Sequence, residues 1–404
     1  MKKKRRKNKN IAVLAAALAV SLCVGACEQV NNVIEVADTI RRDLPSANDT
    51  LTSLIDISAT MEQAMSRGET ELTLNVAGVT EDELRAIGDN MSTFWGKPTH
   101  YTVTNEYKDV DGIVPDRPID VKTITNTFEL SYNFFVYDFI KNGSPVPDDV
   151  PRAKDIAAVL PDVASEVFTE PQASDYAKTL AAHDWLVANL EYDVTTGSIS
   201  DENGTYGAFV LRRTMCQGYA EALELLLKCY TDVEIIQIVG EALNTGLFRN
   251  DENLESVPED WRGHAWNAVK MNGEWYQIDT TFNDPLGNPT GRVTHFYFGQ
   301  SDGVMLKNHR WEYDYFPASY AGDFLFYRES GLFAEDWDSF EAIVEGIIAE
   351  DPPEYFEAAV TDSTITEDNI QFVYSSVDNL DAIMWSEQVW NNIHVHSIEL
   401  IFQS

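Results

Sequence analysis

The chain has 404 residues, 44% hydrophobic and 24% charged, which is a globular composition and neither a disordered nor a fibrous one. Sixty-six acidic residues against 29 basic ones give a formal charge of −37. Such a surface repels phosphate backbones and anionic headgroups and excludes nucleic acid as an expected partner.

The N-terminus has the pattern of an export signal. Lys2, Lys3, Lys4, Arg5, Arg6, Lys7 and Lys9 precede the apolar run Ile11–Leu22, which is short for a membrane span; no later run is long and apolar enough to cross a bilayer. Val24-Gly25-Ala26-Cys27 then resembles the lipobox of bacterial lipoproteins. That implies removal of residues 1–26, lipid on the Cys27 thiol and a mature protein tethered to the outer face of the bacterial cell membrane. The mature chain would hold 22 basic and 66 acidic residues, or −44. Its other cysteines, Cys216 and Cys229, lie in one expected helix, ~20 Å apart along its axis and beyond disulfide reach. A free thiol in an exported protein points to chemistry.

Residues 27–50 are polar and read as a tether. Residues 51–150 read as a small α+β accessory domain. Glu71–Val76 alternates like a strand, Thr80-Glu81-Asp82-Glu83 is a helix-capping signature for a helix to about Met91, and Tyr101–Tyr107 and Ile119–Tyr132 have strand composition. The turn-rich stretch Gly143–Pro151 marks a boundary.

Residues 152–330 form the central domain. A helix is expected over Ser174–Leu190, with Ser174 as N-cap, and a second starts at Cys216 with the apolar stripe Ala220, Leu223, Leu226, Leu227 and Tyr230. Strands are expected at Glu234–Val239, His264–Met271, Glu274–Thr280 and Thr294–Gly299. Residues 335–404 form a third, small α+β domain, with a helix at Trp337–Ala349, a strand at Tyr355–Val360, a helix near Asp378–Met384 and a strand at His394–Phe402.

The chemistry concentrates in two segments. Thr214-Met215-Cys216-Gln217-Gly218-Tyr219-Ala220 puts a Cys at a helix start, where unpaired N–H groups and the positive end of the dipole favour a thiolate, the nucleophilic form. Gly218 would keep that first turn open to a substrate carbonyl, and first-turn N–H groups would help hold an oxyanion. Downstream, Asn272-Gly273 between two β-type runs predicts a type I′ hairpin. If Met271 faces Glu274, then Trp266 faces Asp279, and His264 and Asp279 are diagonal neighbours on one face within side-chain reach. An Asp on that His would orient the ring and stabilise the imidazolium, which holds the Cys as thiolate.

Cys216–Ala220, His264–Pro285 and Tyr206-Gly207-Ala208 together resemble the transglutaminase-like superfamily over about residues 170–320, with the Cys, His and Asp motifs in the family's order. The stretch His295–Trp311 is similar to the family's closing strand and loop. The resemblance implies an α+β papain-like core, flanked here by two accessory domains. It implies Cys216 as nucleophile, His264 as general base and acid and Asp279 as orienting carboxylate, with no cofactor. Gln217, Tyr206 and Trp266 are candidates for substrate or oxyanion contacts. The expected partner is a protein or peptide substrate, its amide attacked to form a Cys thioester. Hydrolysis by a thiol peptidase or amidase is the first expectation; protein-glutamine cross-linking and a non-catalytic surface binding role are the alternatives.

Other residues read as structural. Cys229 suits core packing, and Trp266, Trp275 and Tyr276 suit cross-strand packing. His183 suits a packed helix position. His394-Val395-His396 alternates like metal ligands but lacks a nearby third ligand, so no metal site is expected. Asn244–Arg262 is an acidic, turn-rich run that ends beside His264 and could shape substrate access.

Overall fold

The structure is a computed structural model that describes residues 50–90, 94–108, 119–170, 173–193, 203–243, 261–284, 292–349, 351–361, 372–373 and 375–402. Residues 1–26, Cys27, the tether except Thr50, and residues 244–260 of the acidic run lie outside the described residues.

Among the described residues, three four- or five-stranded sheets, mixed or antiparallel, alternate with helices. The first sheet has the order β1-β2-β4-β3, from β1 (Thr50–Leu51), β2 (Glu71–Ala77), β3 (Gly96–Lys108) and β4 (Ile119–Leu130). Helices α1 (Leu54–Ser66) and α2 (Glu81–Asn90) accompany it. Ser53 caps α1, and Thr80 and Glu83 form the reciprocal capping box that opens α2. Strand β2 buries Leu72, Leu74 and Val76 in strict alternation, which sets its core face.

Beyond β4 the expected strand to Tyr132 stops at Leu130, and two helices appear that the sequence did not suggest. They are α3 (Tyr132–Asn142) and α4 (Pro151–Val167). Five aromatic residues lower the helix propensity of α3, but Gly143, left-handed at φ 73°, closes it as a helix C-terminus should. Pro151, read as part of a boundary, is the first residue of α4, where its missing N–H costs nothing.

The central unit adds α5 (Asp175–Asn189), the short parallel pair β5 (Glu191–Tyr192) and β6 (Arg213–Thr214), and α6 (Cys216–Tyr230). Its sheet runs β10-β9-β8-β7-β11, from β7 (Ile235–Leu243), β8 (Trp261–Met271), β9 (Glu274–Ile278), β10 (Phe298–Gln300) and β11 (His309–Arg310). Helix α6 lies against β7 and β8 and is surrounded on its other sides by α3, α4 and α5. Eleven of its fifteen residues are buried, so it is the apolar axle of the molecule. The apolar cluster around it is continuous with the core of the first sheet, from Leu51 and Ile57 through Leu223 to Tyr327.

Short helices α7 (Asp302–Met305) and α8 (Leu325–Glu329) follow. The last sheet has the order β12-β13-β15-β14, from β12 (Phe333–Ala334), β13 (Tyr355–Thr361), β14 (Leu380–Trp390) and β15 (Ile393–Phe402). Helix α9 (Trp337–Ile348) packs on it around Phe340, Val344 and Ile348. The helix expected near Asp378–Met384 is instead the start of β14. Trp390 pairs with Ile393 across the two-residue turn Asn391-Asn392, and Asn391 takes the positive φ (51°) that a tight hairpin demands.

Candidate active site

Local sequence fixes the hairpin β8–β9. Asn272 and Gly273 take φ 55° and 88°, and the pairing runs from Met271 with Glu274 to Asn267 with Ile278. That is the predicted register. Ladder pairing ends at Ile278, because the Asp279 N–H goes to the Tyr297 carbonyl at 3.0 Å. The diagonal relation survives: His264 Nε2 lies 2.7 Å from Asp279 Oδ2, both buried.

Cys216 is the first residue of α6. Met215 before it is extended, and its side chain makes no capping bond to the helix end. Cys216 as a residue is partly exposed, at the head of an otherwise buried helix. Gly218 does not serve substrate access as expected. A Cβ there would collide with Thr214 Oγ1 and meet the Asn203 and Gly204 carbonyls at 2.7 and 2.8 Å, so Gly218 is what lets α6 sit against residues 203–204.

The electrostatics favour an ion pair. Burial raises the Cys216 pKa, but the charge of His264, a hydrogen bond to it and one from the Ala265 backbone outweigh that and bring it below its ordinary value. Burial pulls His264 down, yet Asp279 and the thiolate raise it to about 10. With Nε2 taken by Asp279, Nδ1 is the ring nitrogen left for Cys216. Asp279, although burial disfavours its charge, is held well below the carboxylate range by His264 and by a residue the sequence reading did not single out, His309. His309 Nε2 is 2.9 Å from Asp279 Oδ2, and Oδ1 accepts the Phe282 N–H at 3.0 Å.

The remaining candidates separate. Trp266 stacks on His264 (centroids 5.8 Å apart, planes 23° apart) and anchors its Nε1–H on Gln277, so it walls the histidine. Gln217 commits its amide Nε2 to Glu221 at 2.7 Å, and Asn133 of α3 donates to the other Glu221 oxygen at 3.1 Å. Tyr206 stands under the Arg152 guanidinium, 5.3 Å away. The tyrosine that faces the charges of Cys216 and Asp279 is Tyr192; burial first, then those charges, push it up to about 12. Cys229 is buried in the core and its thiol is pushed up to about 12.

His183 is buried within a second polar cluster. His183 Nδ1 is 2.8 Å and His295 Nε2 3.0 Å from Asp184 Oδ1, and His295 Nδ1 is 3.1 Å from Glu357 Oε2. Among the described residues, His183–Asp184–His295 and His264–Asp279–His309 are the groups compact enough to hold a metal. Their hydrogen bonds oppose it. Asn283 Oδ1 accepts the Tyr297 N–H at 2.9 Å, so its Nδ2 donates to His183 Nε2, and the His183 proton sits on Nδ1 toward Asp184. In the other group both imidazoles donate Nε2–H to one Asp279 oxygen. His394 and His396 serve the last sheet: His394 pairs with Glu387 at 2.7 Å, and His396 accepts from Trp385 Nε1 at 3.2 Å.

Residues 162–280 match the family model of the transglutaminase-like superfamily. The kyphoscoliosis peptidase of Mus musculus is 26% identical over 157 residues, which cover 37% of this chain and 23% of that protein, so the match spans under a quarter of the relative. Among solved structures, a TGase crystal structure is similar at 14% identity and a TM-score of 0.24, over 55% of this chain and 52% of that one. The periplasmic domain of TgpA from Pseudomonas aeruginosa is similar at 16% identity and a TM-score of 0.21, over 41% of this chain and 58% of that one.

Proposed function

We propose that this chain, which carries a transglutaminase-like domain over residues 162–280, is a cysteine acyl-transfer enzyme that cleaves peptide or glutamine-type amides through a thioester on Cys216. The observation that carries the reading is Cys216 at the start of α6, its thiolate favoured by the charge of His264, with Asp279 2.7 Å behind that histidine. The Cys216 thiolate attacks the amide carbon, and the carbonyl electrons move onto oxygen. The Gly218 and Tyr219 N–H groups bond to the Met215 carbonyl, so the Cys216 N–H at the very start of α6 is the donor assigned to that oxyanion. His264 delivers its Nδ1 proton to the leaving nitrogen, the C–N bond breaks and the thioester remains. Water then attacks with His264 as base, and the thiolate leaves.

Hydrolysis is the preferred second half. The peptidase name of the mouse relative supports it, and so does the abundance of water at the envelope surface where the proposed Cys27 lipid would hold the protein. The test is mass spectrometry of casein incubated with the protein and a labelled primary amine, with Cys216→Ala as control. New peptide termini that require Cys216 are expected. Label incorporated at glutamine would replace hydrolysis by cross-linking. Neither product, together with a Cys216 that alkylates no faster near pH 6 than an ordinary thiol, would leave a non-catalytic surface protein.

A further inference from the structure

We propose that His309 is a positioning residue of this centre, a second imidazole that holds Asp279 ionised and aimed at His264. The proposal rests on the acyl-transfer reading of Cys216, His264 and Asp279.

Asp279 has no solvent exposure, so its charge survives only where donors replace water. Three do so. Oδ2 accepts His264 Nε2–H at 2.7 Å and His309 Nε2–H at 2.9 Å, while Oδ1 accepts the Phe282 N–H at 3.0 Å. Donors at both ends leave the carboxylate no rotation that keeps all three. His309 reaches it from β11, which pairs with β7 on the far side of the sheet from β9, so its placement is independent of the hairpin that carries His264 and Asp279.

The His309 ring is boxed in. Trp266, Phe282 and Tyr297 stand 4.9, 5.0 and 5.8 Å from its centroid, and Nδ1 lies 2.7 Å from the Asn308 amide oxygen, whose Nδ2 donates to the Tyr297 hydroxyl. A carboxylate only accepts, so His309 Nε2 carries a proton toward Asp279. Burial, against the pull of Asp279, lowers the His309 pKa. The His309 N–H stabilises the buried carboxylate in place of water. The other titratable groups facing this centre are Cys216, Tyr192 and Tyr297, and burial holds both tyrosines protonated.

The experiment follows iodoacetamide alkylation of Cys216, read as a mass shift on its own peptide, from about pH 5 to about pH 9. It compares wild type with His309→Phe, which fills the aromatic box without an N–H, and His309→Gln, which restores a donor. Loss of the donor weakens the Asp279 charge, hence the His264 imidazolium, hence the thiolate. His309→Phe should raise the midpoint of thiolate formation by about one pH unit or more, which slows alkylation about tenfold at pH 6. His309→Gln should stay within about twofold of wild type. A His309→Phe variant that keeps the wild-type midpoint, or a Gln variant that loses as much as Phe, overturns the proposal. Thermal melts check that the variants fold, and His309→Met replaces the Phe variant if it does not. A wild-type Cys216 that titrates as an ordinary thiol would instead overturn the acyl-transfer reading.

Discussion

Raising the pH should unfasten the last sheet from the central unit through His295. Its Nε2 faces Asp184 of α5 at 3.0 Å and its Nδ1 faces Glu357 of β13 at 3.1 Å, while its backbone N–H also donates to Glu357 at 3.0 Å. Both partners accept, so the imidazole carries both protons, stacked 3.6 Å from Phe326. Burial alone would lower its pKa, but the hydrogen bonds and charges of Asp184 and Glu357 raise it from 6.5 to about 9. A group that binds its proton more tightly in the folded state stabilises fully below its unfolded pKa, and the contribution disappears as pH rises through the folded value. The rise from 6.5 to about 9 corresponds to roughly 3 kcal/mol. Urea unfolding of wild type and His295→Gln at about pH 6 and about pH 9.5 measures it. Wild type should lose about 2–3 kcal/mol more than the variant over that interval; His264, also raised, is common to both and cancels. Equal pH dependence in the two proteins would refute the charged bridge.

Two further outcomes follow from the site. Asp279→Asn offers an oxygen at one end only, so its NH2 confronts either Phe282 N–H or two imidazole N–H groups. Cys216-dependent turnover should drop at least about a thousandfold and stability by about 1–3 kcal/mol, read by steady-state kinetics and denaturant titration. The rate-against-pH profile should be bell-shaped. It should climb as Cys216 ionises below the ordinary thiol value and fall near pH 10 as His264 loses its proton; a single limb at the ordinary thiol pKa would contradict the ion pair.

Part of this was legible because it is local. Asn272-Gly273 dictates a two-residue turn, the turn dictates register, and register puts His264 and Asp279 on one face, so two residues fifteen apart could be paired without a fold. The start of α6 at Cys216 is equally local. Local signals that competed were misread. The run Leu380–Trp390 mixes helix formers with β-formers, and its pairing with β15 decides the outcome; the aromatic α3 becomes a helix because it packs on α4 and α6.

What stayed hidden are residues whose roles exist only in combination. His309 lies in the stretch that resembles the family's closing strand and loop, but its role appears only when β11 reaches β7 across the sheet. Asn283 lies in the resembling stretch His264–Pro285, where the sequence assigns it no role of its own, yet it joins the two histidine clusters. Its N–H donates to the Asp279 carbonyl at 3.2 Å, its Oδ1 accepts the Tyr297 N–H, and its Nδ2 fixes the His183 tautomer. Tyr297 in turn accepts the Asp279 N–H. The segment that aims the Asp279 carboxylate therefore also sets the proton on His183, which bonds to Asp184, the carboxylate that His295 shares with the last sheet. Changes at the His295 bridge thus have a continuous hydrogen-bonded route to the loop behind His264, and no single residue type along it could have announced that.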